Sequence, residues 1–67
     1  MRIGLAGAGN IAGRYAAAIV REEALELAGA TDPVAARVDA LVAEHGGVAD
    51  PSLAALLADD SVDTVVN

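Results

Sequence analysis

Gly7-Ala8-Gly9-Asn10-Ile11-Ala12 is the stretch of this chain whose residue types and spacing best suit it for chemistry: a G-x-G-x-x-A sequence. The first glycine permits a sharp exit from a strand, since it tolerates backbone angles that a Cβ forbids. The second, Gly9, lets a pyrophosphate lie directly on the backbone, and Ala12 is small enough to keep a following helix close to the sheet. Amides of Asn10, Ile11 and their neighbours, together with the positive end of the helix dipole, would then meet the anion. Such attraction is local and delivered by backbone, so it is open to an acidic chain.

A glycine turn of this kind needs a partner for the rest of its ligand. Asp32 stands 20 positions after Ala12 and closes the next apolar run, near the ~20-residue spacing at which an acid meets the adenosine ribose hydroxyls of a dinucleotide. A carboxylate there accepts hydrogen bonds from the 2′- and 3′-OH and repels a 2′-phosphate, which favours NAD over NADP. Two readings of Asp32 stay open, because Asp32-Pro33 repeats the arrangement of Asp50-Pro51 and could simply cap the second helix. Arg37, one turn further on, could flank the adenine, capture a 2′-phosphate, or be a solvated surface residue. Tyr15 could face a nicotinamide or pack in the core. His45 lacks acids at ligand spacing, so no metal site is expected and a helix C-terminal role suits it. Glu22, Glu23 and Glu26 read as a solvated acidic edge, and neither a nucleophile elbow nor a lysine is present.

The elements that must position these residues follow from changes in apolar period. Met1–Ala6 is a short apolar run suited to a strand buried on both faces. From Ile11 the spacing turns helical, with Ile11, Tyr15, Ala18 and Ile19 on one stripe. Ala24–Thr31 is a second strand. Val34, Val38, Leu41 and Val42 restore the helical period until Gly46-Gly47 stops it. Val48-Ala49 leaves room for a very short strand. Asp50-Pro51 then predicts an N-cap and first helical position for a helix with Leu53, Leu56 and Leu57 on one face. Ser61–Asn67 is a β-branched strand. The order β-α-β-α-β-α-β with short connections predicts an α/β fold, a partial Rossmann-type doubly wound parallel sheet joined by right-handed crossovers. The first two helices should cover one face and the third the other. One short helix cannot cover four strands, and the last strand offers an unpaired edge. The expectation is therefore that residues 1–67 form the N-terminal portion of a dinucleotide-binding domain, completed by the remainder of a longer chain.

Composition bounds the function. The 67 residues hold four Arg, no Lys and ten acids, a net charge of −6 with His45 neutral, which argues against the positive face that nucleic acid requires. Absence of cysteine removes disulfides, thiolate zinc sites and thiol catalysis. No apolar run reaches the ~18 residues of a membrane span, and the chain reads as soluble and cytoplasmic. Tyr15 is the sole aromatic in a composition that is 55% hydrophobic. Such a chain suits helices packed on a buried sheet better than a stacking platform for sugar or RNA.

Beyond these patterns, the sequence resembles the glucose–fructose oxidoreductase / inositol dehydrogenase / MocA (Gfo/Idh/MocA) family of nicotinamide-dependent oxidoreductases along its whole length. RIGLAGAGNIAGRYAAAI is similar to the family's opening strand, turn and helix. LELAGATDPVAARVDALVAEHGG is similar to its second strand, terminal acid and Arg-containing helix. DPSLAALLADDSVDTVVN matches the segment where a short helix with paired leucines leads into a Val-Asp-x-Val strand. The resemblance implies NAD, with NADP admissible, held at Gly7, Gly9, Asn10, Ile11 and Asp32, with Arg37 a further contact. It also implies hydride transfer to or from a sugar, polyol or related hydroxyl or carbonyl compound, and a homo-oligomer when full length. The chain departs from the family in having Ala12 for the third glycine and Tyr15 where His is frequent. It ends before the family's Glu-Lys-Pro stretch with the catalytic Lys and before the α+β substrate domain, so residues 1–67 alone are expected to be inactive. Two other functions compete: a non-catalytic nucleotide-binding or regulatory fragment, and an S-adenosylmethionine-dependent transferase. The latter would need an acid leading into the glycine turn, which the first strand lacks.

Overall fold

A computed structural model describes all residues from Met1 to Asn67. Seven elements alternate along the chain: β1 (Arg2–Ala6), α1 (Ala12–Arg21), β2 (Glu26–Thr31), α2 (Ala35–His45), β3 (Val48–Ala49), α3 (Leu53–Ala58) and β4 (Thr64–Val66). The strands form one sheet in the order β3-β2-β1-β4, and every pairing is parallel. The chain steps one way from β1 through β2 to β3, then crosses back to place β4 on the far side of β1. That reversal creates a topological switch point beside β1, where the carboxyl ends of strands diverge and open α/β sheets bind ligands. No helix is long and apolar enough to cross a membrane.

Side-chain alternation along β1 divides the molecule into two layers. Ile3 and Leu5 point to one face and join Ala12, Ala16 and Ile19 of α1 and Val38 and Leu41 of α2 in the main core. The buried stripe of α1 is thus Ala12-Ala16-Ile19, one position off the expected Ile11-Tyr15-Ala18-Ile19 stripe. Ile11 is 61% exposed and Tyr15 47% exposed, so Tyr15 is not a core residue. The physical reason is distance. Small side chains let α1 sit close to the sheet, whereas an inward Tyr would hold it away.

Gly4 faces the other layer and admits Leu56. A Cβ at Gly4 would lie 2.9 Å from Leu56 Cδ1, and Leu56 is completely buried. Gly29, the partner of Gly4 across the sheet, has Val48 O and Asp50 Oδ2 at 2.7 and 2.8 Å from the position a Cβ would take. Two strand glycines therefore let α3 and the β3–α3 connection approach the sheet. A register shift between Ile3 and Gly4 leaves Ala28 extra on β2, which is why both Leu27 and Ala30 reach the main core despite their odd separation.

Several boundaries differ from the sequence expectations. β2 begins at Glu26 rather than Ala24, because Ala24 O accepts from the N-terminal ammonium at 2.8 Å and lies outside the ladder. β4 occupies only Thr64–Val66 of the expected Ser61–Asn67. Asp59 draws the preceding residues into a turn, its Oδ1 accepting from Ser61 N and Oγ at 2.9 and 2.7 Å. The N-cap of α3 is Ser52, whose Oγ accepts from Ala55 N at 3.1 Å, not Asp50. Pro51 accordingly precedes the helix instead of opening it. The stop of α2 is as expected: Gly46 takes φ +90 and donates to Val42 O at 2.8 Å.

Candidate functional site

The glycine turn begins where β1 ends. Gly7 adopts φ +113, a region that L side chains rarely enter, and donates to Thr31 O at 2.7 Å. The turn is thereby tied to the end of β2. Gly9 and Asn10 are exposed, and nothing lies within 4 Å of where a Cβ on Gly9 would stand. The amides of Gly9, Asn10 and Ile11 donate to no oxygen of the protein, whereas Ala12 N already bonds Gly9 O at 3.0 Å. Ile11 holds the N-cap position of α1 and has no side-chain oxygen to give. By contrast α3 has its first-turn amide satisfied by Ser52. An uncapped helix start with bare amides and space above the second glycine is a cradle for an anion, and no side chain fills it.

Asp32 lies at the carboxyl end of β2 and turns its carboxylate toward this cradle. Oδ2 accepts from Ala8 N, inside the glycine turn, at 2.8 Å. Oδ1 accepts from Val34 N, two residues on, also at 2.8 Å. The N-cap of α2 is Val34, without a side-chain bond, so Asp32 does not cap that helix in the usual sense. It forms a local turn leading into the helix and, at the same time, a long-range link to the glycine turn. The Ala8 amide first, then the Val34 amide, hold its carboxyl below the usual carboxylate range; partial desolvation opposes them, and the positive charge of Arg37 assists.

Arg37 projects from α2 into a cleft whose other walls include Gly9, Asn10 and Gly13. Its surface exposure and its place beside the turn are therefore compatible. Across the sheet's carboxyl edge a second opening, of about 480 Å³, runs from Gly7 and Asp32 to Pro51, Ser52 and Asn67. That is within the ~300–1,000 Å³ of small-molecule sites. Ile11 and Tyr15 border a third recess with Gly9, Val66 and Asn67, at the switch point between β1 and β4. The six residues singled out from sequence thus converge on one edge: Gly7, Gly9, Asn10 and Ile11 in the turn, Asp32 beside it, Arg37 along its flank. The walls contributed by Ser52 and Asn67 were missed. The signal available for them was their place after the ends of parallel strands, where such folds open. His45 ends α2, its Nε2 3.7 Å from Oε2 of Glu44, which itself lines the cleft beside Arg37.

The donor set fits a dinucleotide: backbone amides and a helix start for the diphosphate, and an ionised carboxylate one strand away for ribose hydroxyls. Comparison with known proteins agrees. No curated protein matches the chain significantly. A 3-ketoreductase from Actinomadura kijaniata, solved in complex with NADP and TDP-benzene, superposes with a TM-score of 0.90 at 29% identity over 97% of this chain. A myo-inositol dehydrogenase from Corynebacterium glutamicum superposes with a TM-score of 0.89 at 34% identity, also over 97%. The chain spans 20% of the length of each of these two structures. Residues 1–66 match the family model described as the oxidoreductase family with NAD-binding Rossmann fold. The chain therefore belongs to the Gfo/Idh/MocA oxidoreductase family, as part of its NAD-binding Rossmann fold.

Proposed function

We propose that these residues are the N-terminal portion of the cofactor-binding domain of an NAD(P)-dependent oxidoreductase acting on a sugar, polyol or related hydroxyl or carbonyl compound. The observation that carries the reading is the open glycine turn: bare amides at Gly9, Asn10 and Ile11, no obstruction above Gly9, and the Asp32 carboxylate alongside. In this reading Gly7 shapes the turn, and Gly9, Asn10 and Ile11 hold the diphosphate. Asp32 accepts from the adenosine ribose hydroxyls through lone pairs that its two amide donors leave free. When bound, the dinucleotide supplies the chemistry of hydride transfer at its nicotinamide. Support for the substrate class comes from the two neighbours, a ketoreductase and a polyol dehydrogenase. Their greater length supports a catalytic site built from further chain, with residues 1–67 inactive alone.

NADP is a second ligand that one observation favours. Arg37 flanks the turn within reach of the Asp32 field, and a guanidinium beside the ribose site suits a 2′-phosphate. The neighbouring ketoreductase was solved with NADP. The Asp32 charge opposes that ligand, so NAD is the preferred form.

Titration of the protein with NADH, NADPH and S-adenosylhomocysteine tests the cofactor assignment. Binding of NADH with weaker or equal NADPH binding supports it. Binding of S-adenosylhomocysteine alone would overturn it. Nicotinamide reduction by the full-length chain with a panel of sugars and polyols tests the substrate class, and turnover of none of them would remove it.

A further inference from the structure

Both oxygens of Asp32 are already engaged by the protein, one by Ala8 N and one by Val34 N, each at 2.8 Å. Ala8 is buried and precedes Gly9 directly, and the bond from its amide to Asp32 fixes the Gly7–Ala8 peptide, one step before the first amide of the anion cradle. The only other tie between the turn and the end of β2 is the Gly7 N to Thr31 O bond at 2.7 Å. Ala8 offers no side-chain polar atom. Gly9 O accepts from Ala12 N at 3.0 Å, which holds the Gly9–Asn10 peptide, whereas the Ala8–Gly9 and Asn10–Ile11 peptides have no hydrogen-bonded partner.

We infer that Asp32 is a positioning residue for the diphosphate cradle as well as a contact for the ribose. Its carboxylate clasps the Ala8 amide at the entry to the turn and, together with the Ala12 N to Gly9 O bond at its exit, aims the amides of Gly9, Asn10 and Ile11. The inference rests on the proposed dinucleotide binding and adds that the two halves of the site are mechanically one. A glycine-rich segment is otherwise free to rotate its peptides, and each conformer that points an amide away from the phosphate lowers affinity by the fraction it occupies. The clasp also answers an electrostatic difficulty. A carboxylate next to a site for a diphosphate would repel it, but here the charge is shared by two amides and faced by Arg37.

The two roles separate with a ligand that keeps the diphosphate and lacks the ribose hydroxyls. Affinities for NADH, ADP and 2′,3′-dideoxy-ADP are measured from the amide chemical shifts of Gly9 and Asn10, in the wild type, Asp32→Ala and Asp32→Asn. An Asn has a single acceptor oxygen and can satisfy Ala8 or Val34 but not both. The clasp predicts that Asp32→Ala weakens 2′,3′-dideoxy-ADP about tenfold, on the scale of one charge-assisted hydrogen bond, with Asp32→Asn between it and the wild type. An unchanged affinity for 2′,3′-dideoxy-ADP, with only NADH and ADP weakened, would confine Asp32 to the ribose and overturn the inference while leaving the dinucleotide site intact. Failure of the wild type to bind NADH would instead strike the proposed function. Should Asp32→Ala fail to fold, the wild type alone decides. Under the clasp, acid titration moves the Ala8 and Val34 amide shifts with one common midpoint below that of a free aspartate. Amide shifts at Ala8 that do not follow Val34 would contradict it.

Discussion

Leu56 is the side chain on which the second layer depends, and replacing it by Ala should be the most damaging core change on that face. It is fully buried, and its Cδ1, Cδ2 and Cγ atoms occupy the space over Gly4 at 2.9, 3.2 and 3.2 Å from an ideal Cβ there. Truncation to Ala loses the transfer free energy of the removed atoms and leaves a cavity, together about 2–5 kcal/mol. A change of 1 kcal/mol shifts the melting temperature of a domain of ~60–100 residues by about 4–8 °C, so a fall of at least ~8 °C is expected. Gly4→Ala should cost about 1–3 kcal/mol in the wild type through overpacking. In the Leu56→Ala background the obstructing atoms are gone and the new methyl partly refills the void, so that cost should vanish. A double-mutant cycle followed by thermal and urea unfolding, monitored by circular dichroism, therefore predicts a coupling of about 1–3 kcal/mol. Leu56→Val provides the cycle in a gentler form if the truncation leaves too little folded protein. Equal costs of Gly4→Ala in both backgrounds would refute the packing argument. The consequence reaches the site, because α3 carries the Ser52 and Leu53 wall of the opening beside Asp32.

Ser52→Ala should lower stability by about 1 kcal/mol, the usual worth of an N-cap, since Ser52 Oγ serves the Ala55 amide. A cost carried instead by Asp50, with Ser52→Ala silent, would restore Asp50-Pro51 as the helix start. Acid should destabilise the fold through Asp32 and Asp59, whose carboxyls are both held below the ordinary aspartate range in the folded chain. The Ser61 hydroxyl and then its amide hold Asp59 down, with a smaller contribution from Arg2. A depressed folded value means that the stabilisation is fully present above the unfolded pKa of about 3.9 and is lost as pH falls through the lower folded value. Unfolding midpoints measured from pH 6 to pH 2 should therefore fall below about pH 4 in the wild type. The fall should be shallower in Asp59→Asn; an identical profile would count against the Asp59 contribution.

The order of elements was legible because each one changes the apolar period, and the glycine turn was legible because its residue types are dictated by backbone geometry at Gly7 and close approach at Gly9. What the sequence concealed lies in tertiary pairing. Ala12 and Ala16 carry little hydrophobic contrast, so Ile11 and Tyr15 looked like the inward stripe of α1. The sheet instead selects for small side chains at short distance. The match of Gly4 to Leu56 joins residues more than 50 positions apart and leaves no local trace. Two Asp-Pro pairs looked alike, yet Asp32 reaches across to Ala8 while Asp50 lies against Gly29. That difference is set by which strand each residue follows. The sequence position of Asp32 allows two readings, ribose contact and helix capping. The structure gives it, beside the Val34 bond, a bond to Ala8 that neither reading anticipates.

The most direct test of the account is the affinity for NADH of the wild type and of Gly9→Val, measured by calorimetry with circular dichroism as the control for folding. Nothing occupies the space beside Gly9 in the protein, so the valine should leave the fold in place. It should also fill the room the diphosphate needs and abolish binding. Undiminished NADH affinity in a folded Gly9→Val variant would contradict the claim that the backbone amides of this turn hold the cofactor.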